Sequence, residues 1–158
     1  MQRYIYLAAI PAAFVAGVFV SHLTGSAQAQ MQMQAPSSEL SPQIIDLSTI
    51  NDPELGNIVP DMGSLRSKTL VATANGTIAL QTGNVPKHTH TYSDEIQYVI
   101  SGSGTFWLGD RRREIHAGEL IIIPKGTIHA GSEPSSGEFK VLSIKLPPQG
   151  PGDMQMVP

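Results

Sequence analysis

Cysteine is absent from the 158 residues. That excludes a disulfide framework, a thiolate zinc site, a cysteine nucleophile and a lipid-modified cysteine anchor. Charge is scarce as well. Only 15% of residues are charged, with 10 Lys+Arg against 13 Asp+Glu and a formal net charge of −3. Without a basic excess the chain is no generic nucleic-acid binder, and with so few charges a functional site has to be local. No stretch beyond residue 29 supports a long amphipathic helix. What is present is 41% hydrophobic residues with 15 Gly and 12 Pro. This describes a turn-rich globular domain rather than a disordered or multi-spanning membrane chain.

Residues 1–29 contain one formal charge, Arg3, then an apolar run over 4–20 interrupted by Pro11, and end in Ala27-Gln28-Ala29. A positive start, an apolar middle and an A-x-A end describe a secretory signal peptide, with cleavage expected after Ala29. The expected location is periplasmic or secreted. No twin-Arg pair is present, so export of the unfolded chain is expected. The alternative is a retained anchor, for which 17 residues is the short limit across ~30 Å of hydrocarbon. Removing 29 residues from 158, Arg3 among them, leaves 129 with a net charge of −4. That is enough chain for one core without disulfides, and no stable membrane association is expected after cleavage.

Residues 30–43 are rich in Gln, Met, Ser and Pro and read as a flexible linker. Residues 147–158 are rich in Pro and Gly, lack strand pattern, and read as an extended flexible tail. Between them, residues 44–146 hold short β-branched runs separated by turn signals. Runs 69–73 and 77–81 flank Asn75-Gly76, a hairpin turn, and the turn by itself accounts for the Asn75-Gly76-Thr77 glycosylation match. Further strands are expected at 96–100, 105–108, 120–123 and 141–146. Turns are expected at 101–104, 109–110 and 117–118, and a short helix within 46–55. Short strands at this spacing argue for a small all-β barrel or sandwich.

The chemistry concentrates in two segments. His88 and His90 are two apart, so on a strand they share a face. Glu95 follows after a turn's length. His129 ends the loop Pro124-Lys125-Gly126-Thr127-Ile128, which can aim it into the same cavity. Three imidazole nitrogens and a carboxylate oxygen suit Fe, Mn, Ni, Cu or Zn and suit Ca or Mg poorly.

Here the sequence resembles the cupin superfamily. Gly83-Asn-Val-Pro-Lys-His88-Thr-His90-Thr-Tyr-Ser-Asp-Glu95, ending at Gly102, is similar to the first cupin motif. Gly118-Glu-Leu-Ile-Ile-Ile-Pro124-Lys-Gly126-Thr-Ile-His129 is similar to the second. The gap of 15 residues between them suits a compact member. Two departures are four residues, instead of five, between Gly83 and His88, and Glu133 where the family often has Asn. The resemblance implies a conical, jelly-roll-like β-barrel (a double-stranded β-helix) and one divalent transition metal held by His88, His90, Glu95 and His129.

Four protein donors leave a six-coordinate ion two open positions, as a catalytic rather than a closed site requires. The net charge of +1 on such a centre favours an anionic ligand. If Glu95 faces the metal, alternation turns Gln97 and Val99 inward and Ile96, Tyr98 and Ile100 outward. Gln97 then becomes a hydrogen-bond partner of the ligands. Some lyase-type cupins carry Tyr at the position of Gln97, which this chain lacks. Tyr92, in the turn between His90 and Glu95, is a second candidate catalytic group, as a gate or acid–base, against the plainer reading of a rim aromatic. Trp107 reads as barrel packing, His116 as a non-ligand, and Arg111-Arg112-Arg113 as a solvated hairpin tip. Lys125, ahead of Lys87, is a candidate for steering anions. The Met31/Met33 and Met154/Met156 pairs could hold Cu(I), though Gln/Met-rich disorder explains them.

Two function classes follow. One is a metal-dependent enzyme acting on a small polar or carboxylate-bearing molecule, an oxygenase first and a lyase or isomerase next. The other is a non-catalytic cupin that binds a ligand or stores metal. Strand edges of a small barrel also suggest a homodimer.

Overall fold

The structure, a computed structural model, describes residues 40–158. The expected signal peptide and nearly all of the expected linker lie outside the described residues. Apart from a 3₁₀ helix at Asp52–Leu55 the described chain is built from eight strands: β1 Arg66–Ala72, β2 Thr77–Thr82, β3 His88–His90, β4 Asp94–Leu108, β5 Arg111–His116, β6 Leu120–Ile123, β7 His129–Leu146 and β8 Met154–Met156. No helix among the described residues is long and apolar enough to cross a membrane.

The Asn75-Gly76 turn joins β1 to β2, and β2 continues onto β7. The long β4 and β7 run antiparallel from Asp94↔Leu146 to Leu108↔His129. β4 also takes β6 beside its first half and β5 beside its second. The sheet curls into a half-barrel, so the all-β barrel expectation stands.

Three expectations are corrected. The turn expected at 101–104 is absent, because β4 runs through it. Both flanks pair with the same partner, β7, so the chain keeps direction. Gly102, at φ 73°, takes up one of several register shifts along this pair as a bulge. The Arg111-Arg112-Arg113 tip is exposed as expected, but it begins β5, a strand the charged sequence had hidden. Residues 147–158 are no loose tail. They turn back and add β8 to β3, with Met156, Gln155 and Met154 opposite His88, Thr89 and His90.

Alternation sorts the interior. Across β4 and β7 the inward pairs are Val99↔Val141, Gln97↔Ser143 and Glu95↔Lys145, all buried. Val99 and Val141 join Phe106, Ile115, Ile121, Ile123 and Phe139 in the main core. The other two rows are polar. One end of the barrel is thus an apolar plug and the other a buried polar chamber. On the outer face Ile50 and Leu55 close over Leu80, anchored by Lys140 Nζ donating to the Ile50 carbonyl (2.7 Å) and Thr82 donating to Asp52 (2.9 Å).

Candidate metal centre

Three strands deliver the polar chamber. β3 carries His88 and His90 on its inner face, β4 carries Glu95 as its second residue, and β7 opens with His129 directly opposite His88. Two loops aim them. Gly83 turns at φ 90° with its α-carbon against the Ser64 carbonyl, where any Cβ would collide. Gly126 donates its N–H to the His90 carbonyl (2.7 Å), docking the loop that leads to His129. The four side chains meet: all are buried, and one donor atom from each lies within 4.8 Å of the others. The ring centroids of His88 and His129 are 4.2 Å apart.

The hydrogen bonds divide each ring into an outer and an inner nitrogen. Nδ1 of His88 lies 2.8 Å from the Pro86 carbonyl, Nδ1 of His129 lies 3.0 Å from the Thr127 carbonyl, and Nδ1 of His90 lies 2.9 Å from Asp153 Oδ2. A carbonyl or carboxylate only accepts, so each Nδ1 bears the hydrogen, and a neutral ring then turns the Nε2 lone pair inward. Inside, Glu95 Oε2 lies 3.0 Å from His90 Nε2 and 3.2 Å from His129 Nε2. Lone pairs facing a carboxylate oxygen in a dry chamber repel unless positive charge lies among them. Either the rings take extra protons or one cation serves all four donors. Burial, the neighbouring His129 and His90 push the His88 pKa down to about 4, against the pull of the Pro86 carbonyl and Glu95. At least that ring is therefore neutral at pH 7, as a metal ligand must be. The donor set fits a transition-metal ion.

Glu95 is built for one inward oxygen. Its Oε1 accepts from Gln97 Nε2 (2.9 Å), Ser143 Oγ (2.6 Å) and Lys145 Nζ (3.2 Å), leaving Oε2 to the histidines. Burial by itself would raise the Glu95 pKa. The Lys145 ammonium, joined by the His129 and His90 rings when they carry a proton on Nε2, outweighs it and holds the carboxyl well below its usual range. Asp153 is also ionised despite full burial, because the N–H groups of Tyr92 and Ser93 outweigh desolvation.

Of the residues singled out in the sequence, His88, His90, Glu95, His129 and Gln97 come together. Tyr92 does not join them; it is 37% exposed in its turn and does not line the chamber. Trp107 lies outside the chamber with the Lys87 ammonium 4.0 Å from its ring centroid, which occupies that lysine. His116 and Lys125 are exposed, away from the cluster. Met154 lines the chamber while Met156 is exposed, so this pair does not converge. Sequence reasoning missed Ser143, Lys145 and Asp153. Alternation from Val141 could have found the first two, since a Lys and a Ser on the inward parity of an apolar strand need a buried partner. Nothing local marks Asp153.

The chamber opens into a cavity of about 30 Å³ lined by Gln97, Lys145, Gln81 and Gln149 and by the apolar Met62, Leu65, Val85 and Met154. That is room for about two waters.

Comparisons with known proteins agree with this geometry. Residues 76–145 match the Cupin_2 model, described as a cupin domain. An uncharacterized protein of Methanocaldococcus jannaschii is 30% identical over 70 residues, covering 44% of this chain and 56% of that protein, so the match spans little more than half of its relative. In fold, the chain is similar to an uncharacterized Klebsiella pneumoniae protein with a double-stranded β-helix domain (TM-score 0.59, 16% identity, 75% of this chain and 99% of that one). It is also similar to Streptomyces PAC13 with uridine (TM-score 0.50, 20% identity, 60% and 77%). With the H-x-H, Glu and His of its two motifs converging inside a curled sheet, residues 76–145 of this chain form a cupin domain.

Proposed function

We propose that this protein is an exported, mononuclear metal-dependent cupin enzyme acting on a small carboxylate-bearing molecule, by oxygenase chemistry first and lyase or isomerase chemistry next. One observation carries the reading: three imidazole Nε2 atoms and Glu95 Oε2 converge with their outer atoms already committed, beside the Lys145 ammonium. His88, His90, His129 and Glu95 would hold one Fe, Mn, Cu, Ni or Zn ion. The ion would supply a Lewis-acidic centre and, for Fe, Mn or Cu, electrons for dioxygen.

The remaining steps belong to the chain itself. Lys145 and Gln97 present N–H groups at the chamber wall and would orient a substrate carboxylate. Lys145, in contact with Ser143 Oγ (3.1 Å), is the group placed to move a proton. Met62, Leu65, Val85 and Met154 keep bulk water off the reacting atoms and strengthen every charge interaction inside. The small cavity favours a short substrate, and it is also the observation behind a second reading, a non-catalytic cupin that stores metal or binds a ligand.

Protein loaded separately with Fe, Mn, Cu, Ni and Zn is screened against short carboxylates and against small polar molecules, uridine among them. Oxygen uptake supports the oxygenase, and product formed without oxygen supports a lyase or isomerase. Tight metal binding with no turnover supports the storage reading. Export is tested by N-terminal sequencing of protein from the periplasm or medium, with Gln30 expected as the first residue.

A further inference from the structure

Two of the three histidines are tethered locally. His88 and His129 each donate from Nδ1 to a carbonyl two residues upstream. His90 is held across 63 residues, by Asp153 of the C-terminal segment. Asp153 is fully buried, and both its oxygens are committed: Oδ2 to His90 Nδ1, and Oδ1 to the N–H groups of Tyr92 (2.8 Å) and Ser93 (3.1 Å). The main chain secures the placement. Thr91 donates its N–H to the Asp153 carbonyl (2.6 Å), and β8, which begins at the next residue, pairs along all of β3.

We propose that Asp153 is the positioning residue of the metal centre. By accepting from Nδ1 it fixes His90 in the tautomer whose Nε2 lone pair faces the other three donors. This rests on the metal reading above, because only a ligand needs that lone pair.

The choice of Asp over Asn has a physical reason. An Asn offers one accepting end and one donating end. The Tyr92 and Ser93 N–H groups claim the oxygen, which leaves the amide NH₂ against His90 Nδ1. That nitrogen must then accept, so the ring hydrogen moves from Nδ1 to Nε2. From Nε2 it points at Glu95 Oε2, 3.0 Å away. The shape is unchanged and the ligand is blocked.

The test uses the full chain and the Asp153→Asn and Asp153→Glu variants. Imidazole ¹⁵N spectra of metal-free protein report whether His90 Nδ1 carries hydrogen, and Zn²⁺ and Mn²⁺ titrations report affinity per folded molecule. Expected are a protonated His90 Nδ1 in the wild type, an unprotonated one in Asp153→Asn, and an affinity for that variant lower by about 10–100-fold. Asp153→Glu keeps two acceptors and recovers the protonated Nδ1. A merely structural Asp153 would lower the melting temperature and leave tautomer and affinity alone, which overturns the proposal. So does a wild-type His90 with bare Nδ1, a measurement independent of whether any variant folds. A wild type that shows the expected tautomer yet binds neither Zn²⁺ nor Mn²⁺ overturns the metal reading and leaves Asp153 as the residue that sets the ring.

Discussion

Single side chains in the chamber are coupled through charge. Glu95 and Lys145 form a buried ion pair at 3.2 Å. Removing one partner of such a pair strands the other at a cost of about 3–5 kcal/mol. Lys145→Met is therefore expected to destabilise metal-free protein by that order, and metal-loaded protein by much less, because the cation takes over the balance of Glu95. Urea unfolding with and without Zn²⁺ checks the difference. His88 sets a pH dependence of its own. Unfolded, it takes a proton near 6.5; folded, it stays neutral down to about 4. Between those values the unfolded state binds the extra proton, so metal-free stability falls on acidification through that window, by roughly 3 kcal/mol in all. Glu95, depressed in the folded state, adds a loss of the same sign below 4.5. Unfolding free energies at pH 7 and pH 5 should separate, and His88→Gln should flatten the slope.

Strands and loops explain how four residues spread over 42 positions meet. β3 is three residues long and meets β7 only at His88. Its other side is paired throughout by β8, so the C-terminal strand keeps both ligand histidines in register. The loop ahead of β3 depends on Gly83, whose φ of 90° and contact with the Ser64 carbonyl exclude a side chain. That loop carries the Pro86 carbonyl that tethers His88. Gly83→Ala is expected to cost about 2 kcal/mol or more and to weaken Zn²⁺ binding as well, read by thermal melts and metal titration. The same lesson bounds what the sequence disclosed. The H-x-H, Glu and loop-borne His were legible because period-2 alternation and glycine punctuation are local rules. The bulge at Gly102 and the return of 147–158 were not, since each depends on pairing with a distant strand.

For the whole molecule, the barrel has two faces of different character. The inner face is closed, but part of the outer face is apolar and open. Ile96 lies between Ile122 and Ile144, and Tyr98 between Leu120 and Leu142. Ile122 is 63% exposed and Leu120 59% exposed. β6, which carries both, pairs with β4 alone among the described strands, so its other edge is available as well. An apolar face continuous with an open edge suits a second copy of this chain across a two-fold axis. We propose a homodimer through this face; Ile122→Lys is then expected to convert it to a monomer in analytical ultracentrifugation while leaving Zn²⁺ affinity unchanged, because the residue points away from the chamber. A wild type that sediments as a monomer removes the proposed dimer.

The linear sequence determined the all-β class, the four inward donors and the inward turn of Gln97, because alternation, turn residues and donor chemistry act over a few neighbouring positions. Tertiary structure alone decided what surrounds them: the Lys145 ammonium against Glu95, the narrow chamber, and Asp153 behind His90. Those contacts span 50 and 63 residues, and no local pattern encodes a partner that arrives only when the sheet closes.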